Sequence, residues 1–323
     1  MRQVAGWLSS AGYAAGWRIV RALPAPLAGR LFTAAADLAV RRNGRSVRQL
    51  RRNLSRVVGP GADAAELDRL VRAGLRSYAR YWLETFRLPS MAVDQILAQV
   101  RTDGVAHVDA ALAAGTGAVF ALPHSGNWDI AGLWLVRHGY PFSTVAERLK
   151  PESLFDRFVA YRESLGMRVL PLTGGPRPPM QVLSERLRAG EAVCLVADRD
   201  LSRHGVEVQF FGEATRMPAG PALLAATTGA ALMPVHLYFD GAGWGQWIGS
   251  PIELGEGNLR TRVQRATQAL ATAFEQRIAR HPEDWHMLQP LWLADLDQAR
   301  LRATVQLPDE LASPAAAPAG GAD

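Results

Sequence analysis

The sequence predicts an α/β fold: a mainly parallel central sheet flanked by helices, with N-terminal helices that lie along a membrane surface. Three observations predict it. Short apolar runs, such as AVFAL at 118–122 and AVCLVA at 192–197, have the length of buried strands. Segments with helical spacing separate these runs, and strands alternating with helices favour a parallel sheet. Three runs close on charged or polar groups: His124/Asp129, Glu147/Arg148 and Asp198/Arg199.

Taken in order, residues 1–23 carry Trp7, Leu8, Tyr13, Trp17, Ile19, Val20 and Leu23 beside Arg2, Arg18 and Arg21. That pattern suits a helix at a bilayer interface or one packed on the domain, and the two readings can both hold. Pro24 and Pro26 interrupt it, and a second apolar helix follows over 27–40. The basic run RRNGRSVRQLRRNLSRVV places Val47, Leu50, Leu54 and Val57/Val58 at helical spacing, so one side is buried while the arginines face out. Residues 64–88 read as one or two helices and 91–100 as a short one. Residues 104–114 lead into the strand at 118–122. A helix to about His138, a strand at 142–146, a helix at 154–165 and a strand at 169–172 follow. The loop TGGPRPP precedes a helix at 181–188 and the strand at 191–197. Residues 206–211 read as an edge strand or loop, 218–229 as a helix, 231–239 and 244–248 as strands, and 258–280 as a long amphipathic helix. Residues 1–306 read as one domain, with 1–60 its basic amphipathic part. The Pro/Ala/Gly-rich tail at 307–323 has little to bury and reads as disordered.

Charge is unevenly spread. Residues 1–60 hold eleven arginines against one acid, Asp37; eleven minus one gives +10, so with a net charge of +6 the remainder sums to −4. This points to an anionic partner for the N-terminal part, a membrane surface or a nucleic acid. Nucleic-acid motifs are absent, and the aromatics do not interleave with the basic run as a stacking platform requires. No stretch reaches the ~18 to 20 apolar residues of a bilayer span, and the first residues lack the leucine-rich core of a cleaved signal. The single cysteine, Cys194, sits in an apolar run and fits a reducing compartment.

The stretch GAVFALPHSGNWD at 117–129 is the candidate site. Its strand stops at Pro123, a loop presents His124, Ser125 and Gly126, and Asn127 caps the next helix. Alone it reads equally as a capped turn with a structural histidine. If the three strands are parallel neighbours, their charged ends share one sheet edge, where open α/β folds place reactive groups. A histidine beside a carboxylate is a general base with an orienting partner. Other chemistries lack their patterns. There is no G-x-S-x-G elbow for Ser125, no Walker A sequence and no G-x-G-x-x-G after the first βα turn. His281 and His286 are not at H-E-x-x-H spacing, so no metal site is expected.

HSGNWD is an H-x₄-D motif, and it resembles the signature of the lysophospholipid acyltransferase superfamily. The likeness extends to the lipid A biosynthesis acyltransferase branch. RRNLSRVV, ALPHSGNWD, Asp198 followed by Arg199, GVEVQFFG, MPAGPALLAATTGAALMP and HPEDWHMLQPLW are similar to its successive blocks. Within the branch, VAERLKPESLFDRFVAYRESLGM and DRDLSRHGVEV most resemble the actinobacterial enzymes that acylate phosphatidylinositol mannosides. The lipid A enzymes usually carry Asp-Gln where this chain has Asp198-Arg199.

The resemblance implies transfer of a fatty acyl group, typically palmitoyl, from acyl-CoA to a mannose hydroxyl, by a peripheral enzyme on the cytoplasmic face of the inner membrane. It implies His124 as base with Asp129 holding its ring. Glu147, Arg162 and Asp198 would order the acceptor or support that pair, with Ser125 and Arg199 among the substrate-binding residues. No acyl-enzyme and no cofactor beyond the co-substrate acyl-CoA are expected. Partners are an anionic glycolipid acceptor and the membrane surface, and the expected state is a monomer. A lipid A-type or lysophospholipid acyltransferase using acyl-CoA or acyl-ACP, and a non-catalytic membrane-binding relative, remain alternatives.

Overall fold

The computed structural model describes residues 16–148, 152–200 and 205–296. Expectations for Trp7, Tyr13 and the 307–323 tail lie outside the described residues. Residues 16–22 are helical and lead into α1 (Ala25–Arg42), α2 (Arg45–Val58) and α3 (Ala64–Arg87). Asn43, in the left-handed conformation at φ 45°, ends α1. Asp63 caps α3 by accepting from the Glu66 amide at 2.6 Å.

The basic run forms α2 with the predicted burial. Val47, Leu50 and Leu54 pack against Val71 and Leu75 of α3, while Arg45, Arg48 and Arg52 are exposed. Buried Asn53 donates to the Met287 and Gln289 carbonyls at 2.7 and 2.9 Å. Arg56 bonds Glu213 and Asp295 and covers the Trp292 ring. The N-terminal helices are therefore built into the domain. Trp17 is held in the same way: its indole donates to the Phe86 carbonyl at 2.9 Å, and its ring packs on Phe86 and Phe158. For Trp17 the expected packing on the domain is realised. Among the described residues no helix is long and apolar enough to cross a membrane.

The remaining elements are α4 (Val93–Leu97), β1 (Val100–Asp103), α5 (Val105–Ala113), β2 (Ala118–Leu122), α6 (Trp128–Arg137), β3 (Phe142–Ala146), α7 (Glu152–Ser164), β4 (Arg168–Pro171), α8 (Pro179–Arg188), β5 (Ala192–Val196), β6 (Val206–Phe210), β7 (Glu213–Met217), α9 (Gly220–Thr228), β8 (Ala231–Asp240), β9 (Gly243–Ile248) and α10 (Leu259–Ile278). Seven strands make one sheet in the order β1-β9-β8-β2-β5-β3-β4, and β6 with β7 makes a separate antiparallel pair. All neighbours in the large sheet are parallel except β8 and β9.

β2 is buried along its whole length, which its uninterrupted apolar run requires. Val119 and Ala121 face a core shared with α8, α9 and α10; Ala118, Phe120 and Leu122 face a core shared with α5 and α6. From β2 the chain moves outward to β3 and β4. From neighbouring β5 it leaves the other way, to β8. The helices that follow, α6 and α9, cover opposite faces of the sheet, and open α/β sheets place sites at the carboxyl ends of strands whose connections part in this way.

Two elements depart from the sequence reading. Residues 91–100 were expected to form one short helix, but the helix stops at Leu97 and Val100–Asp103 is an edge strand paired with β9. Residues 206–211 pair not with the sheet but with β7, across a turn at Phe211 and Gly212 that both adopt positive φ.

Candidate active site

The loop after β2 is shaped by three local choices. Pro123 ends the strand, and its carbonyl accepts the Ser125 amide at 2.8 Å. Gly126 takes φ +54°, where a Cβ would meet the backbone of Leu237 and Tyr238 at 2.7 and 2.8 Å. Asn127 then caps α6, accepting the amides of Asp129 and Ile130 at 3.1 and 3.2 Å. Its amide group in turn donates to Glu84 Oε2 at 2.7 Å, which also receives the Trp244 indole at 2.8 Å. The loop thereby leaves His124 partly exposed at the sheet edge, with its neighbours Ser125 and Asn127 buried.

The carboxylate against His124 comes from β5. His124 Nδ1 lies 2.5 Å from Asp198 Oδ1, and the His124 amide donates to Oδ2 at 2.9 Å. The Trp285 indole donates to the same Oδ2 at 2.9 Å. Asp198 is fully buried. Burial pushes its carboxyl up, but the His124 charge and the hydrogen bonds from His124 and Trp285 outweigh this and hold it below the usual carboxylate range.

Asp129 was expected to hold the His124 ring. Instead its Oδ1 accepts from Arg162 Nε at 2.8 Å, and Thr85 lies 3.4 Å from Oδ2. The reason is local: the cap at Asn127 starts α6 at Trp128, and the first helical turn aims Asp129 toward α7. Burial opposes the Arg162 charge, yet Asp129 overrides it and holds the guanidinium above its usual range. The sheet edge therefore carries two pairs, His124–Asp198 and Asp129–Arg162.

The other expected residues divide. Glu147 and Arg199 stand at the carboxyl ends of β3 and β5, on the edge shared with His124, as the parallel order requires. Glu147 is exposed and Arg199 half-buried. Ser125, expected to touch substrate, is wholly buried. Its hydroxyl lies 3.4 Å from both His236 Nδ1 and the Leu237 amide, so it braces the loop. The amides of Ser125 and Gly126 are engaged by the Pro123 and Asp284 carbonyls.

An apolar cleft runs from this loop between the sheet and α6. Leu122, Trp128, Asp129 and Arg162 line it, with Phe120, Ala131, Leu135, Val196 and Leu237 along its walls. It encloses about 760 Å³ between the atoms, part of it open to solvent. Trp128 joins cleft to loop: its ring is 6.1 Å from that of His124 and 4.1 Å from Tyr81.

Sequence reasoning missed the groups behind the loop. Asp284 accepts from the Ser77 hydroxyl at 2.6 Å and the Phe239 amide at 2.8 Å, and its carbonyl accepts the Gly126 amide at 2.9 Å. Burial raises its carboxyl to about 6. His286 Nε2 is 2.9 Å from the Ser77 hydroxyl, and burial, aided by the His124 charge, lowers its ring to about 3. The HPEDW block flagged this segment, but no linear spacing joins it to His124. His281, Glu283 and Asp284 bring possible ligand atoms within 4.8 Å of one another. Both Asp284 oxygens are already engaged by protein donors.

Comparison with known proteins fits this geometry. Residues 1–294 match the family described as bacterial lipid A biosynthesis acyltransferase. The chain belongs to that family. It is an acyltransferase. A phosphatidylinositol mannoside acyltransferase of Mycolicibacterium smegmatis is 57% identical over 296 residues, 91% of this chain and 95% of the relative. One of the same name from Mycobacterium tuberculosis is 57% identical over 290 residues, 89% of this chain and 90% of the relative. Within this family's chain, His124 and Asp129 form the H-x₄-D pattern in sequence, while His124 and Asp198 form the contact in space.

Proposed function

We propose that this acyltransferase moves a fatty acyl group, palmitoyl in type, from acyl-CoA to a mannose hydroxyl of a phosphatidylinositol mannoside, at the cytoplasmic face of the membrane. The observation that carries the reading is the His124–Asp198 pair, with His124 standing between Leu122 and Trp128, which line an apolar cleft. The names of the 57% identical relatives supply the acceptor class.

Asp198 holds Nδ1, which leaves Nε2 of His124 to take the proton of the acceptor hydroxyl. The hydroxyl oxygen attacks the thioester carbonyl, and the carbonyl electrons move onto oxygen. As the tetrahedral intermediate collapses, the C–S bond breaks and the thiolate recovers the proton from His124. A base so placed contributes roughly 10²- to 10⁴-fold. No acyl-enzyme forms, and the chemistry calls on no group besides the two substrates. The amide of Trp128, first residue of α6, stands at a helix start, where backbone N–H groups have no intrahelical partner, and serves the oxyanion. The apolar cleft, with the Asp129–Arg162 pair in its wall, takes the acyl chain, while Glu147 and Arg199 face the acceptor headgroup.

The membrane reading rests on the outer side of α1 and the segment before it. Ile19, Leu27, Leu31 and Leu38 are exposed there, with Arg18, Arg21, Arg30, Arg41 and Arg42 also exposed. Exposed aliphatics among arginines suit an anionic bilayer surface.

The test is product analysis. Wild-type protein is incubated with palmitoyl-CoA and a panel of mannoside, lipid A-type and lysophospholipid acceptors, followed by mass spectrometry. Acylation of the mannoside with thiol release supports the reading; acylation of only the other acceptors contradicts it.

A further inference from the structure

The His124–Asp198 pair is held from outside by one short segment. Ser125 and Trp285 form an isolated antiparallel bridge. On either side of it, the Gly126 amide donates to the Asp284 carbonyl at 2.9 Å, and the His286 amide donates to the His124 carbonyl at 2.7 Å. Residues 284–286 therefore grip the backbone of residues 124–126. The middle residue also reaches the acid. The Trp285 indole donates to Asp198 Oδ2, the oxygen that already accepts the His124 amide. With Oδ2 occupied by two N–H donors, Oδ1 is the oxygen left for the imidazole.

Trp285 is itself immobilised. It is fully buried, and its ring packs at 6.0 Å from both Phe210 and Trp292. Its N–H points into a site where water does not compete, so its direction is fixed by the core. A donor fixed in this way selects one carboxylate rotamer and favours the ionised acid.

From these contacts we propose that Trp285 is a positioning residue for proton transfer: its indole N–H orients Asp198 and, through Asp198, His124. This rests on the reading of His124 as the base. Trp285 touches neither substrate nor the reacting atoms. It acts by keeping Asp198 charged and its Oδ1 aimed at Nδ1. Loss of a hydrogen bond to a charged group corresponds to a change of roughly 10- to 100-fold.

The test removes the N–H alone. 3-Benzothienylalanine at position 285 keeps the size and shape of the ring but replaces the N–H with sulfur. Trp285→Phe is the coarser variant, with its fold checked by circular dichroism. Acyl transfer is followed across pH, and the His124 Nδ1 proton by NMR. The expected result is a fall in kcat of about tenfold or more, with KM for both substrates within about twofold. The acid limb of the kcat profile moves to higher pH, because Asp198 protonates more readily, and the downfield Nδ1 resonance weakens. If the sulfur analogue retains wild-type kcat and pH profile while His124→Ala is inactive, the role of Trp285 is overturned. If His124→Ala is itself active, the reading of the base has failed instead, and the two failures are told apart.

Discussion

His124 Nδ1 and Asp198 Oδ1, 2.5 Å apart, join residues separated by 74 positions in the chain. Asp129, five positions from His124, holds Arg162 instead. The two aspartates should therefore fail differently. Asp198→Asn keeps the shape but removes the charge that orients the imidazole and stabilises its protonated form. Its kcat should drop about 10²- to 10⁴-fold, with a loss of stability smaller than that at Asp129 because its partner His124 is partly exposed. Asp129→Asn leaves Arg162 buried without its counter-charge and should cost about 3 to 5 kcal/mol of stability. Chemical denaturation beside steady-state kinetics separates the two; equal stability losses would contradict this division.

The cleft predicts chain-length selection. Ala131 lines it from α6, so Ala131→Phe fills space that a long chain needs. The kcat/KM for palmitoyl-CoA should fall about tenfold or more, while a short acyl donor loses much less. Equal losses for long and short donors would remove the cleft as the acyl site.

The outer side of α1 predicts surface binding. Replacing Leu27, Leu31 and Leu38 by serine removes exposed apolar surface without disturbing the buried Ala28 and Ala36. Flotation with anionic vesicles should lose about tenfold or more of the bound fraction. Binding by the unaltered protein should weaken as salt rises, since arginines near an anionic surface contribute about 1 kcal/mol each. Unchanged flotation in both experiments would contradict the membrane reading.

Buried histidines predict an acid-labile fold. Burial lowers His236 and His286 to about 3 in the folded chain, against about 6.5 when unfolded. The unfolded chain thus takes up protons first as pH falls, and stability is lost from about 6.5 downward toward 3. Asp284 acts in the opposite sense: raised to about 6, it binds its proton first in the folded state, so its contribution is lost as pH rises through that value. Two histidines outweigh one aspartate, and urea midpoints should fall between pH 6.5 and 4. His236→Gln should make that fall shallower; an unchanged slope would show that His236 does not carry it.

Much of this fold is legible in the sequence because its central strands are buried on both faces. β2 and β5 appear as apolar runs and β3 as a mixed run between Pro141 and Glu147, and their parallel direction follows from the helices between them. β1 is legible only with its partner. VRTD has alternating exposure and little apolar character, and it becomes a strand by pairing with β9, some 140 residues away. The hairpin of β6 and β7 depends on Phe211 and Gly212 both entering positive φ, which FFG announces only in part. At the site, His124 and the charged strand ends were visible as a set. Which carboxylate meets the imidazole was not, because it depends on the strand order β2–β5 and on where Asn127 starts α6. The contact of Trp285 with Asp198 spans 87 positions and has no linear signature.

The most direct measurement compares wild type, His124→Ala and Asp198→Asn for palmitoyl transfer to a purified phosphatidylinositol mannoside, with the acylated product quantified by mass spectrometry. The account predicts product from wild type, none above background from His124→Ala, and a rate reduced about 10²- to 10⁴-fold for Asp198→Asn. Near-wild-type product from His124→Ala, or full activity of Asp198→Asn, would contradict it.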